Sequence, residues 1–206
     1  MAQVRVAVLG AGNIGGTLGR KWAAAGNHVT FGVSNPSGSK SEALRADLGD
    51  TVKIGSVADA LAAGDVVLVA VPGGTVDELV KANTALLDGK IIIDAANRMG
   101  GSGPMNSLAT FKSHTPSAHV FRAFNSYGWE NFANPLYQGV QGDLFYSGPD
   151  GAPRQTVEQL IEEIGLRPIR LGDADQADAV DAVLTLWFSL VRQGKGRHLA
   201  FKLLTD

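Results

Sequence analysis

Cysteine is absent from this sequence and charge is scarce, and each shortage excludes a class of function. Without cysteine the chain can form no disulfide scaffold, thiolate metal site or cysteine nucleophile. The four histidines show no spacing typical of metal ligands, so we expect no metal site. Only 18% of the residues are charged and the formal net charge is −2, so we do not expect nucleic acid as a partner.

Long hydrophobic runs are missing as well. The longest apolar stretches, residues 66–71 and 183–191, are far shorter than the ~20 residues that cross a bilayer. The first residues show no signal-peptide pattern. Together with the lack of cysteine, these observations predict a cytoplasmic protein without a membrane partner.

The sequence also lacks the common arrangements of catalytic residues. None of the three tyrosines is followed four residues later by lysine, so the Tyr-x-x-x-Lys proton relay of short-chain dehydrogenases is missing, and no Ser-His-Asp arrangement is legible. A carbonyl substrate needs a proton donor at its oxygen, whereas a flavin-like ring that accepts hydride at carbon depends mainly on alignment. We therefore assign no catalytic residue, and we favour hydride transfer between two cofactors.

Short β-branched runs alternate with helical stretches, which is the order of a doubly wound parallel α/β sheet. Strands are predicted over residues 4–9, 28–32, 66–71, 90–93, 119–124, 143–146 and 167–171. Helices are predicted over residues 14–25, 41–48, 57–63, 76–83, 107–112, 154–164 and 175–191. Residues 125–138 are predicted to be irregular.

A glycine-rich turn joins the first predicted strand to the first predicted helix. It reads Gly10, Ala11, Gly12, Asn13, Ile14 and Gly15. Glycines at this spacing allow a tight turn, close approach of a pyrophosphate and close packing of helix on strand. The N–H groups of Gly12, Asn13 and Ile14 would then face the phosphates. We predict one compact unit over residues 1–206: a Rossmann-type dinucleotide-binding part (1–138) and a small C-terminal α/β lobe (139–206) for the acceptor and oligomer contacts.

The end of the second strand indicates which dinucleotide binds. Proteins that bind NAD usually place an acid there to hold the ribose 2′-OH, and residues 32–36 contain none. Ser34, Asn35 and Lys40 can donate hydrogen bonds to a 2′-phosphate, although no arginine is present to clamp it. We therefore predict NADP(H) as the cofactor.

Two further segments, residues 70–74 and 94–97, follow strands and should border the same crevice. Within them, Val71, Pro72, Ala95 and Asn97 are candidate cofactor contacts. Asp94 could act as a general base or could cap the next turn, and the sequence favours capping.

The acceptor side has two candidate segments. Tyr127 and Trp129 could stack on a flat ring whose polar edge is bound by Asn125 and Ser126, or these aromatics could anchor a loop on the core. The basic cluster 192–198 could bind an anion through Lys195, Arg197 and His198, or it could be a helix end with Gly194 as its stop residue.

Six segments resemble, in order and spacing, the NADPH-dependent coenzyme F420 reductases and their bacterial dinucleotide-binding relatives. They are residues 6–15, 70–72, 92–95, 121–126, 165–168 and 196–204. The resemblance implies hydride transfer between the nicotinamide and the deazaflavin ring of F420. It places residues 11–14 at the pyrophosphate, Val33 and Ser34 at the 2′-phosphate, 71–72 along the cofactor, and the deazaflavin between 125–129 and the tail. The archetypal reductases have Ser-Arg at 33–34 and an aromatic residue at Gly73.

Two other functions stay open: a redox sensor that binds NAD(P)H without catalysis, and a reductase of a small metabolite with Tyr127 or His198 as proton donor. For the last long helix we expect a role in a homodimer, because it carries a broad apolar stripe. The stripe contains Val180, Val183, Leu184, Trp187, Leu190 and Val191.

Overall fold

The computed structural model describes residues 2–206, without the side chain of Lys40. The elements of the first part are β1 (Arg5–Leu9), α1 (Asn13–Ala24), β2 (His28–Gly32), α2 (Ser39–Leu48), β3 (Val52–Gly55), α3 (Val57–Ala63), β4 (Val66–Val69), α4 (Val76–Ala82), α5 (Thr84–Leu87), β5 (Ile91–Asp94), α6 (Leu108–His114) and β6 (His119–Arg122). Then follow α7 (Trp129–Ala133), β7 (Leu136–Tyr137), β8 (Val140–Gln141), β9 (Asp143–Tyr146), α8 (Ala152–Glu163), β10 (Arg167–Arg170) and α9 (Ala177–Leu190).

Six parallel strands form the main sheet in the order β3-β2-β1-β4-β5-β6. The chain leaves β1 toward one edge, returns, and continues from β4 toward the other edge, which confirms the doubly wound Rossmann-type fold. Along β1, Val6 and Val8 pack into one apolar cluster, whereas Ala7 and Leu9 pack into the cluster on the opposite face. Burial on both faces explains why these strands are continuous apolar runs.

The C-terminal lobe is a βαβ unit in which β9 and β10 pair in parallel and α8 connects them. It is tied to the first part through α1, because the indole N–H of Trp22 donates to the carbonyl of Leu160 at 2.8 Å. This confirms the small α/β lobe that the sequence predicted. Among the helices of residues 2–206, none is long and apolar enough to cross a membrane.

Three expectations on elements need correction. The strand β3 was not predicted, because it has only four residues and lies at the edge of the sheet. The segment 125–138 is not wholly irregular, since it contains α7 and β7. On α9, three residues of the expected dimer stripe, Val180, Leu184 and Trp187, are at most 3% exposed and pack into the core of their own chain.

Candidate dinucleotide site

The carboxyl ends of the six parallel strands bring the loops that follow them to one edge of the sheet. Backbone hydrogen bonds join them side by side: the N–H of Gly10 to the carbonyl of Gly32 at 3.0 Å, and the N–H of Ala70 to the carbonyl of Leu9 at 3.0 Å. Between the neighbouring parallel strands β1 and β4, the order in which strands are added to the sheet reverses. Ligands of open α/β sheets bind in the crevice that such a reversal creates.

The glycines of the turn differ in how closely other atoms approach them. Gly10 has a φ of +96°, and a Cβ there would lie 2.6 Å from the carbonyl oxygen of Ala70. A Cβ at Gly15 would lie 2.0 Å from the carbonyl oxygen of Gly10. Around Gly12, in contrast, a Cβ would meet no atom of the described chain within 4 Å. Gly12 precedes α1, whose N-terminus has no side-chain cap, and Ala11 and Asn13 are exposed. This open, uncapped N-terminus fits a pyrophosphate.

The loop after β2 is accessible. Ser34 and Asn35 are exposed, while Val33 is half-buried and donates its N–H to the carbonyl of Gly55 at 3.1 Å. The hydroxyl of Ser41 donates to the carbonyl of Asn35 at 2.8 Å, which folds the loop toward the start of α2. The side chain of Lys40 lies outside the described residues.

The loops after β4 and β5 touch each other at Gly73. A Cβ at this buried glycine would lie 2.3 Å from the carbonyl oxygen of Asn97, so an aromatic side chain has no room in this arrangement. The close approach of Asn97 is therefore compatible with glycine at the position where the resemblance implies an aromatic residue. Beside it, Val71 is half-buried and Pro72 is exposed, while Ala95 is buried and Asn97 half-buried.

Asp94 has the capping role that the sequence favoured. Its carboxylate accepts the N–H of Ser107 at 2.9 Å and that of Ala96 at 3.2 Å, and it lies 3.3 Å from the guanidinium of Arg122. Burial raises the pKa of Asp94, and the charge of Arg122 opposes that shift. A fully buried carboxyl group with these partners is not available to a substrate as a general base.

The acceptor-side residues 125–127 lie inside the protein. Tyr127 is 3% exposed, its hydroxyl donates to the carbonyl of Asp143 at 2.8 Å, and its ring packs against those of Phe132 and Phe201. The expectation that Tyr127 stacks on an acceptor or donates a proton to a substrate is therefore wrong: this aromatic anchors the loop on the core. Burial raises the pKa of Tyr127. Asn125 and Ser126 are also buried, whereas Trp129 is 39% exposed.

The basic cluster is mostly engaged in internal contacts. Arg197 pairs with Glu130 at 2.6 Å and lies 5.1 Å from the centre of the Trp187 ring. His198 stacks on Tyr137 with ring centres 4.5 Å apart. Lys195 is exposed and makes no hydrogen bond or ion pair with the part of the chain that the structure describes. After α9 the chain continues in a π-helical turn over Val191–Lys195, and Gly194, with a φ of +80°, leaves the helical conformation there, which agrees with the helix-end alternative.

Sequence reasoning missed the two charged residues that hold this edge together. Arg122 and Asp181 form a buried ion pair at 2.7 Å between β6 and α9. The available signal was an arginine inside an apolar strand and an aspartate next to Val180 on a core-facing helix. Within residues 2–206, no group of three His, Asp or Glu side chains is placed to hold a metal ion.

The sheet order and the open glycine turn define a dinucleotide-binding protein of the Rossmann type. Residues 5–98 match the sequence model of the family NADP oxidoreductase coenzyme F420-dependent. A candidate F420-dependent NADP-reductase from Arthrobacter sp. FB24 superimposes with a TM-score of 0.84 at 25% identity, covering 98% of this chain and 100% of that chain. The family model covers fewer than half of the 206 residues, whereas the structural similarity extends over nearly the whole chain. The chain is thus similar to these NADP-dependent oxidoreductases in the sequence of its first part and in its overall fold.

Two further solved structures are similar. A hypothetical protein from Sinorhizobium meliloti has a TM-score of 0.69 at 27% identity, over 83% of this chain and 86% of that chain. An imine reductase from Pseudomonas sp. has a TM-score of 0.70 at 15% identity, over 93% of this chain but 64% of that chain. At 15% identity, the similarity to the imine reductase concerns the fold and does not indicate a shared substrate.

Proposed function

We propose that the protein transfers a hydride between NADP(H) and a flat flavin-like acceptor, namely coenzyme F420. One observation carries this proposal beyond the family match. Two of the ionisable side chains that the sequence placed beside the crevice, Asp94 and Tyr127, are buried and hydrogen-bonded within the protein. A crevice to which these two groups cannot donate protons suits a hydride transfer to carbon, because that reaction needs alignment of two rings rather than a proton donor at oxygen.

The residues of this chain bind and align the cofactor. The N–H groups of Gly12, Asn13 and Ile14 would hold the pyrophosphate, and Val33, Ser34 and Asn35 would surround the 2′-phosphate. Val71, Pro72, Ala95 and Asn97 would border the nicotinamide. Lys40, which the sequence predicts as a further donor to the 2′-phosphate, has its side chain outside the described residues. When bound, NADPH supplies the hydride, and with one proton from solvent the reaction yields NADP⁺ and the two-electron-reduced acceptor.

The acceptor site proposed here lies between α7 and the tail. The Glu130–Arg197 pair brings these two segments together. Trp129 offers an exposed ring, and Lys195 offers an exposed cation for the phosphate or glutamate groups of F420. Asn125, Ser126, Arg197 and His198 support the loops rather than contact the acceptor, because their side chains are buried or engaged internally.

The direct test follows NADPH oxidation optically with F420, FMN, FAD and a quinone. We expect the highest kcat/KM with F420. Binding of NADPH without turnover of any acceptor would overturn the proposal and would favour a redox sensor.

A small-metabolite reductase remains the second candidate, because the fold of the imine reductases covers 93% of the chain. An imine also accepts hydride at carbon, so a cyclic imine belongs in the same assay. The buried hydroxyl of Tyr127 counts against this candidate, since it removes a proton donor that the reaction would use.

We propose further that NADPH is preferred over NADH, and that the enzyme works in the cytoplasm as a homodimer. The preference follows from the exposed Ser34 and Asn35, and from the lack of an acid in residues 32–41. Titration of nicotinamide fluorescence should give a lower Kd for NADPH than for NADH. A lower Kd for NADH would contradict our interpretation of this loop.

A further inference from the structure

A buried polar network surrounds the guanidinium of Arg122. The side chains of Arg122 and Asp94 are fully buried, and that of Asp181 is 5% exposed. Arg122 Nε and Nη2 contact Asp181 Oδ1 at 2.8 and 2.7 Å. Its Nη1 donates to the carbonyls of Asp94 and Ala96 at 3.1 and 2.5 Å, and Nη2 donates to Asn97 Oδ1 at 2.6 Å.

Most of these acceptors belong to residues 94–97, the segment that follows β5. This segment approaches Gly73 of the neighbouring loop. It also contacts the loop after β6, because the Asn97 amide donates to the carbonyl of Asn125 at 2.9 Å. Arg122 therefore holds a segment at the edge of the crevice, and its contacts are with loop carbonyls rather than with the sheet alone.

Asp181 extends the network to α9. The carboxylate accepts hydrogen bonds from the amides of Asn125 and Asn106, each at 2.9 Å, in addition to Arg122. One charge on α9 thus fixes β6, the loop after β6 and the residues before α6.

We propose that Arg122 and Asp181 are positioning residues for the nicotinamide half of the cofactor. The inference rests on the proposed function, which puts the nicotinamide beside residues 71–72 and 95–97. Stability alone does not account for the network, because apolar side chains of similar volume are often as stabilising as a buried ion pair. A guanidinium supplies fixed geometry, since its N–H donors form a rigid fork. The pair holds the backbone of 95–97 in place before the cofactor binds.

The test separates the two halves of the dinucleotide. Arg122→Lys keeps the positive charge but loses the fork of donors. The variant is titrated with NADPH and with 2′-phospho-ADP-ribose, which has the same adenosine and pyrophosphate but no nicotinamide. We expect the affinity for NADPH to fall about tenfold or more, and that for the fragment by less than about twofold. The emission of bound NADPH should also shift toward that of the free cofactor.

Arg167→Lys is the matched control, because it removes a two-bond contact to Asp143, at 2.7 Å for each bond, in the C-terminal lobe. It should change the two affinities equally or not at all. Equal losses for both ligands in Arg122→Lys, or unchanged emission, would overturn the positioning role. A wild-type protein without affinity for NADPH would overturn the proposed function as well, so the two failures are distinguishable.

Asp181→Asn repeats the test from the α9 side. If neither variant folds, hydrogen exchange on the wild type decides. NADPH must then protect the amides of 95–98 and α9 more strongly than 2′-phospho-ADP-ribose does. Equal protection by both ligands would contradict the inference.

Discussion

At the residue scale, the glycine turn offers a substitution that separates binding from folding. In Gly12→Asp the new side chain meets no described atom within 4 Å, and aspartate is favoured as the residue that precedes a helix. At the proposed pyrophosphate site, the carboxylate would nevertheless exclude and repel the phosphates. We expect loss of NADPH binding by ~100-fold or more, and a free energy of unfolding within ~0.5 kcal/mol of the wild type or slightly above it. Cofactor titration and urea unfolding measure the two quantities.

Gly15→Ala is the contrasting control. Its methyl group would lie 2.0 Å from the carbonyl oxygen of Gly10, so the loss of stability should be clear even without ligand. Unchanged NADPH affinity in Gly12→Asp would refute the site.

The tyrosines predict how stability depends on alkaline pH. Burial raises the pKa of Tyr127 above its ordinary value of 10.0, so the folded state keeps the neutral phenol when the unfolded state has ionised. The stabilisation is complete below about pH 10 and is lost as the pH rises further, by ~1.4 kcal/mol per pH unit for one tyrosine. Urea unfolding across this range should show the decline.

Tyr127→Phe should remove one tyrosine's share of that slope. At neutral pH it should cost ~1–3 kcal/mol, because the carbonyl of Asp143 loses its donor. An unchanged alkaline slope would contradict the buried position. The acceptor KM should stay at the wild-type value, since the ring does not face the crevice.

Single residues also mark what sequence reasoning could and could not reach. The roles of Gly10 and Gly15 were readable because a fixed spacing between a strand and a helix carries a known geometry. The role of Arg122 was not, because its partners Asp94 and Asp181 lie 28 and 59 residues away in the chain. Periodicity shows that a charged residue lies on a buried face, but it does not show which oppositely charged residue pairs with it.

At the scale of elements, the same contrast separates long patterns from short ones. The buried strands β1 and β4 and the helix α3 were predicted closely, since each has an unambiguous apolar pattern. The five-residue α7 was missed because so short a helix shows no periodicity, and its place depends on contacts with α1.

The tail after α9 makes a prediction about acceptor binding. Lys195→Ala removes an exposed cation, so the KM for F420 should rise by about two- to tenfold with kcat nearly unchanged. The effect should shrink at high salt. Lys112→Ala on α6, where the exposed cation precedes the amino end of β6, is the matched control and should change neither constant. A fall in kcat without a change in KM would speak against an anchoring role.

At the scale of the whole molecule, the homodimer proposed above would use the exposed face of α9 and only part of the apolar stripe first expected. Val180, Leu184 and Trp187 face the chain's own core, while Leu186 is 51% exposed. A second stripe surrounds it at helical spacing, formed by Ala179, Ala182, Val183 and Leu190.

Light scattering should therefore give twice the mass of one chain, and Leu186→Glu should weaken association by ~2 kcal/mol or more. Leu204→Glu, at an 84% exposed position of the tail, is the control that should leave the dimer intact. A monomeric wild type at micromolar concentration would exclude the dimer.

The carboxylate of Asp143 has a consequence for the time course of biosynthesis. It is fully buried and binds Arg167, together with Lys202 and the N–H of Leu203. The ribosome makes Lys202 59 residues after Asp143, which at 5–20 residues per second is a wait of roughly 3–12 s. During that interval the carboxylate of Asp143 lacks its contacts with Lys202 and Leu203, so in the nascent lobe it must stay hydrated or pair with Arg167 alone. We therefore expect the C-terminal lobe to close late, so that β9 stays accessible to chaperones after the main sheet has formed.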